Sequence, residues 1–297
     1  MPVRFLTDFD PQVGRCVEVE PFLRRIVAPN PNMYTGWGTG TYVLGRGRVA
    51  VIDPGPDDPS HVAAILDAVR GEEISHVLVT HTHADHSPAS RAIAAATGAT
   101  IVGYGPHPVG ADDDAEEHGD TAFVPDTTVR DGDVVAIGDH EVECIHTPGH
   151  ISNHICYADR STGVLFPGDH VMGWSTTVVS PPDGDMALYL ENLRRLLGRG
   201  DRSYFPTHGP RIDDPRPFVA ALIAHRQERD RQILAQLAGG PRTIAELVEV
   251  LYAEVRPELH VPAARSVQAH LIALCGHGEV ALDGEGDSQE GQRYRLR

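Results

Sequence analysis

The run Thr80-His81-Thr82-His83-Ala84-Asp85-His86 decides how this chain folds. It follows the apolar stretch Val77-Leu78-Val79 and precedes an alanine-rich segment from Ser87 to Thr97 that Gly98 closes. The apolar stretch predicts a short buried strand and the alanine-rich one a helix. Side chains two apart in an extended chain face the same side, so His81 and His83 point into one cavity. The turn into the helix swings Asp85 and His86 to the same region from the other side. Four ligand-type side chains within six residues at a strand exit predict a site for one or two metal ions.

Three later segments repeat the arrangement. His150 ends Thr147-Pro148-Gly149-His150 after the β-rich run Glu141–Ile145, and Asp169 ends Phe166-Pro167-Gly168-Asp169 after Val164–Phe166. His208 lies in Thr207-His208-Gly209-Pro210 after Ser203–Phe205. Each is an apolar strand, a turn with Gly or Pro, and a histidine or aspartate at the exit. Ligands gathered on loops at one edge of a sheet are how α/β folds build sites.

The ordered set H-x-H-x-D-H, His, Asp, His resembles the metallo-β-lactamase superfamily over about residues 20–210. The resemblance implies an α/β fold, a four-layer αββα sandwich holding two zinc ions. It assigns His81, His83 and His150 to the first ion and Asp85, His86 and His208 to the second, with Asp169 bridging. It also matches Asp53 to an aspartate that supports the site from behind. The implied chemistry is hydrolysis by hydroxide held at the dinuclear zinc site, with Asp85 as the catalytic residue that orients it and takes a proton. Because no thiolate joins the donor set, iron and manganese suit it as well as zinc. The segment beyond residue 240 resembles the β-lactamase-like subgroup with an appended winged helix. That subgroup usually shows G-T-N-T-Y near its start, where this chain has Gly38-Thr39-Gly40-Thr41-Tyr42.

Composition narrows the chemistry. The 297 residues carry 25 basic and 42 acidic side chains, a net charge of −17, and 17 histidines. Every basic residue is arginine, which excludes a lysine Schiff base and a Walker-type phosphate loop. So acidic a chain is poorly placed to grip a nucleic-acid backbone. No apolar run reaches the roughly 18 residues of a membrane span, and the first twenty residues lack the apolar stretch of a secretory signal. The four cysteines form no C-x-x-C pair and read as buried thiols of a cytoplasmic protein.

Along the chain, residues 20–53 read as β, with a hairpin around Gly45-Arg46-Gly47. Ser60–Arg70 reads as a helix, and residues 103–128 as a polar loop containing the acidic run 112–117. Asp185–Leu197 and residues 213–238 read as helices. Thr243 with Glu246 forms a capping box that starts a helix to about Val255, followed by a helix Pro262–Cys275 and a hairpin. Helix, helix, helix, hairpin is the order of a winged helix-turn-helix. The division expected is 1–225 for the metallo-β-lactamase-like catalytic domain and 226–297 for the winged-helix-like domain.

The substrate expected is a small activated carbonyl compound, a thioester, lactone or related ester. A single-strand endoribonuclease is the alternative, and β-lactamase, mononuclear iron dioxygenase and a sensor or binding module rank lower. Residues 241–297 hold six arginines against nine acids, a net of −3, and the third helix of the tail carries only Arg265. A nucleic-acid module would show a basic stripe. Such a tail is expected to pack on its own catalytic domain or to make a homodimer contact. His154 and His170 are candidates to line the pocket, His146 is expected to be structural, and Tyr34, Trp37 and Trp174 are candidate walls. His61, His76, His107, His118, His140, His225, His260, His270 and His277 read as surface or packing residues.

Overall fold

A computed structural model describes residues 3–108, 110, 118–254, 256, 259–284 and 291–297. The acidic run 112–117, Val255 and the turn of the C-terminal hairpin lie outside the described residues.

The first sheet has seven strands in chain order. They are β1 (Val17–Glu20), β2 (Leu23–Val27), β3 (Gly40–Arg46), β4 (Arg48–Ile52), β5 (Glu73–Leu78), β6 (Thr100–Gly103) and β7 (Thr127–Thr128). The first four pair antiparallel, and the hairpin expected around Gly47 turns there, where φ is +71°. From β4 onward pairing is parallel, so the chain needs crossovers. Helices α1 (Pro59–Ala68) and α2 (Ala89–Thr97) supply two of them. The second sheet runs β12 (Ser203–Tyr204), β11 (Val164–Phe166), β10 (Ile155–Asp159), β9 (His140–His146) and β8 (Val134–Ile137), with α3 (Met186–Leu197) inserted before β12.

Alternation along the strands builds three apolar layers. Tyr42, Leu44, Ile52 and Leu78 of the first sheet meet Val142, Cys144, Tyr157 and Phe166 of the second. The opposite face of the first sheet, with Val43, Val49 and Val51, packs on Ile65 of α1 and Ile93 of α2. The opposite face of the second, with Ile145, Cys156 and Leu165, packs on Tyr189 and Leu193 of α3. Strands buried on both faces read as unbroken apolar runs. The result is the four-layer αββα sandwich.

Helix α4 (Pro215–Leu237) leaves this sandwich and enters a second core. Its Val219 and Leu222 join the α3 layer, whereas Ile233 and Leu237 pack with Leu247, Val267 and Leu271. That second core is a winged helix of β13 (Arg242–Thr243), α5 (Ile244–Leu251), α6 (His260–Gly276), β14 (Val280–Leu282) and β15 (Arg293–Leu296). The expected capping box forms: the Thr243 hydroxyl accepts from the Glu246 amide at 3.2 Å, and the Glu246 carboxylate accepts from the Thr243 amide at 2.8 Å. β13, too short to show a sequence pattern, pairs with β15. Position 225 falls inside the unbroken α4. All four cysteines are free, but only Cys144 and Cys156 are buried; Cys16 is exposed, which corrects the expectation of four buried thiols. No helix among the described residues is long and apolar enough to cross a membrane.

Candidate metal centre

Four strands deliver the donors at their C-terminal ends, the edge where open α/β sheets place ligands. β5 leads into His81–His86, β9 into His150, β11 into Asp169 and β12 into His208. All seven expected donors come together. His83 Nδ1 lies 3.0 Å from His81 Nε2 and 3.1 Å from His150 Nε2. Asp85 Oδ2 lies 3.1 Å from His208 Nε2 and 3.4 Å from His86 Nε2. Asp169 spans the second group, with Oδ1 3.6 Å from His86 Nε2 and Oδ2 3.4 Å from His208 Nε2. Three overlapping sets each keep their ligand atoms within 4.8 Å: His81/His83/His150, His81/His86/Asp169 and Asp85/His86/His208.

The far nitrogens of four rings set the tautomers. His81 Nδ1–H donates to the Thr80 hydroxyl at 3.0 Å, His86 Nδ1–H to the Asp53 carboxylate at 2.9 Å, and His150 Nδ1–H to the Val178 carbonyl at 2.6 Å. His208 Nδ1–H donates to the Gly38 carbonyl at 3.3 Å. With those protons directed outward, Nε2 of each ring is the atom turned to the cavity, where it can offer a lone pair once it carries no proton. His86 Nε2 and Asp169 Oδ1 are buried without a hydrogen-bond partner among the described residues. Buried polar atoms left so are costly unless something bonds them. The donors therefore fit a metal centre.

The electrostatics divide the donors in two. Burial, reinforced by neighbouring histidines, holds His81 and His83 well below the ordinary imidazole range, and burial lowers His150 too. These three are held as neutral nitrogen donors. Burial also opposes charge on His86 and His208, but the carboxylates outweigh it. Asp85, Asp169 and Asp53 raise His86, and Asp169 with Asp85 raises His208 to about 10. Reciprocally, His86 and His208 overcome burial to hold Asp85 and Asp169 ionised. A cation there would replace the imidazolium protons as partner of the carboxylates.

The family model described as "Metallo-beta-lactamase superfamily" matches residues 35–208. The chain belongs to the metallo-β-lactamase superfamily. A second model, "Beta-lactamase associated winged helix domain", matches residues 243–288. The chain is similar to a beta-lactamase-like protein 2 homolog of Drosophila melanogaster, 30% identical across 89% of this chain and 91% of that one. It is also similar to an atrochrysone carboxyl ACP thioesterase of Aspergillus fumigatus, 30% identical across 79% of this chain and 74% of that one. A crystal structure of a beta-lactamase domain protein from Burkholderia ambifaria superimposes with a TM-score of 0.82, at 24% identity, covering 98% of this chain and 96% of that one. The chain is a hydrolase of the metallo-β-lactamase fold.

Asp53 ties the two halves of this metallo-β-lactamase site together. Fully buried at φ +46°, it accepts from the Thr80 amide and hydroxyl, both at 2.8 Å, from His86, and from the Thr207 hydroxyl at 2.7 Å. Thr80 and Thr207 each precede a donor histidine, a Thr-His repetition visible in the sequence although neither threonine was an expected site residue. Asn30 and Thr39 also escaped sequence reasoning. The Asn30 amide donates to the Thr39 hydroxyl at 2.9 Å, and that hydroxyl lies 3.4 Å from Asp85 Oδ2. At position 40 the backbone amide donates to the Thr207 carbonyl at 2.7 Å, and a Cβ would lie 3.0 Å from that oxygen, so glycine suits the approach.

His154 lies behind the donors, bonded to Thr147 at 2.8 Å and accepting from the Asp169 amide at 3.3 Å, so it braces the turn carrying Asp169. His170 is buried against Tyr189 with neither ring nitrogen paired among the described residues. His146 stacks on Tyr104 with ring centroids 4.1 Å apart, the structural part expected of it. Trp37 and Trp174 form an edge-on pair at 5.8 Å beside the site.

Proposed function

We propose that this metallo-β-lactamase superfamily hydrolase cleaves thioesters, with two zinc ions held by His81, His83 and His150 on one side and Asp85, His86 and His208 on the other. The observation that carries the reading is Asp169, whose two oxygens reach toward both histidines of the second set while the residue also groups with His81 and His86. The thioester assignment draws on the similarity to a protein named as a thioesterase. Divalent ions in this position supply a water of lowered pKa and a Lewis acid for the carbonyl oxygen.

The chain's own residues do the rest. Asp85 is the most open of the donor carboxylates, its side chain 21% exposed against 5% for Asp169. Its contacts with His86, His208 and Thr39 all involve Oδ2. Oδ1 is thereby left to accept a proton from the attacking water. Thr39, braced by Asn30, holds the carboxylate in that orientation. Burial of the imidazoles excludes competing water from the donor face.

The test is a panel of an acyl thioester, a lactone, a cephalosporin and single-stranded RNA offered to one zinc-loaded preparation. The thioester is expected to be cleaved fastest, with activity lost to chelator and in His83→Ala. Faster cleavage of the RNA would replace the reading with the nuclease one. Metal analysis should return two equivalents of zinc; two of iron would correct the metal.

A further inference from the structure

A cavity of about 400 Å³ lies where the sandwich meets the winged helix. One wall is the segment 174–179, another is α4 with His225, Arg226 and Arg229, and Tyr252 and Pro262 close it from the winged-helix side. Among the described residues no aspartate or glutamate lines it, in a chain with a net charge of −17.

Arg226 is only 5% exposed, and its hydrogen bonds go to the Thr177 carbonyl and, at 3.4 Å, to the Ser266 hydroxyl. Arg229 stacks 4.2 Å over the Tyr252 ring and donates to the Gln232 side chain at 3.0 Å and the Leu251 carbonyl at 3.3 Å. Neither forms an ion pair among the described residues. A buried guanidinium without a counter-charge is costly, and its planar fork of donors matches an oxyanion. Two more polar atoms on the wall, His225 Nδ1 and Trp174 Nε1, are buried without hydrogen-bond partners among the described residues. The arrangement has the form of a ligand site, apolar walls with a few convergent polar groups.

The same wall is the back of the metal centre. The Val178 carbonyl accepts from His150, the Thr177 hydroxyl donates to the Asp169 carbonyl at 2.7 Å, and Trp174 packs on Gly209 beside His208. An anion here would lie against the segment whose Thr177 and Val178 bond to Asp169 and His150.

We propose that this cavity holds an anionic group of the substrate, a carboxylate or phosphate some way from the scissile bond, on Arg226 and Arg229. The identity of the substrate rests on the thioesterase reading; the anion site does not. Three thioesters separate the sources of charge: benzoyl on N-acetylcysteamine, 4-carboxybenzoyl on N-acetylcysteamine, and benzoyl on phosphopantetheine. One charged thioester should exceed the neutral one in kcat/KM by about tenfold or more. Arg229→Gln should remove most of that ratio, and Arg229→Lys should keep part of it. The preferred arm shows whether the carboxylate or the phosphate is the ligand. Terephthalate and phosphopantetheine, titrated into the metal-loaded full chain and followed by tryptophan fluorescence, test the site without turnover. Binding of one of them should weaken about tenfold in Arg229→Gln. Equal kcat/KM for all three thioesters, or a ratio that Arg229→Gln leaves intact, overturns the proposal. Arg229-dependent binding with no turnover of any thioester upholds the anion site and removes the thioesterase reading.

Discussion

At the scale of single residues, the site is a problem of proton placement. His81, His83 and His150 are neutral because burial makes them so, whereas His86 and His208 are drawn toward the protonated form by Asp85, Asp169 and Asp53. This has a consequence for the chelated chain. Unfolded histidine loses its proton near pH 6.5, whereas folded His208 keeps its proton to about 10 and His86 is raised as well. A raised folded pKa adds stability that is full below the unfolded pKa and is lost as pH climbs toward the folded one. Between about pH 7.5 and 8 the lowered histidines are almost wholly neutral in both states and few of the unfolded thiols have titrated. In that window the metal-free chain should lose stability as pH rises, by about 1.4 kcal/mol per unit for each proton held. Denaturant titrations of chelated protein at about pH 7.5, 7.75 and 8 measure the slope. A flat or rising trend would mean that neither imidazole is protonated.

At the scale of elements, the ligands depend on how closely a turn meets a helix. Gly149 precedes His150 at φ +141°, and a Cβ there would fall 2.4 Å from Tyr189 Cα. The turn is bolted to α3 by Asp185 N–H to the Gly149 carbonyl at 2.8 Å and the Asn192 amide to the Pro148 carbonyl at 2.9 Å. In Gly149→Ala either the turn or α3 must move, and His150 moves with the turn. We expect a loss of about 1–3 kcal/mol in stability together with metal affinity weakened about 10–100-fold, the scale seen when ligand orientation is disturbed. Thermal melting and a chelator competition check both; unchanged affinity would mean that α3 yields instead. This scale also shows what was legible in sequence. The donors could be read because each sits a few residues past an apolar strand, so motif and element are local to each other. The sandwich layers could be read because strands buried on both faces are apolar throughout. The bracing was hidden, since Asn30–Thr39 and Val178 reach their partners across long stretches of chain. Arg226 was hidden too: in His225-Arg226-Gln227-Glu228-Arg229-Asp230 it looks solvated, and it is buried by partners distant in sequence, Thr177 and Tyr189 of the sandwich and Ser266 of the winged helix.

At the scale of the whole molecule, α4 makes the two cores one mechanical unit. A helix that seats Val219 and Leu222 in the sandwich and Ile233 and Leu237 in the winged helix joins the two cores through one continuous run of backbone hydrogen bonds. Helix α6 adds a second link. Its Ala269 is buried in the α3 layer while its Val267 and Leu271 face the winged-helix core. The cavity bearing Arg226 and Arg229 lies in this seam, so a shift between the cores would open it. The tail is therefore expected to melt with the sandwich. Calorimetry of the chelated chain should show one transition with matching calorimetric and van't Hoff enthalpies, as an all-or-none unit requires. Ala269→Glu places a carboxylate in the apolar contact between α6 and α3, where burying an unpaired charge is strongly unfavourable. That variant should split the transition, with the winged helix melting first and the anion site lost with it. Two transitions in the unaltered chain would show that α4 does not couple the cores.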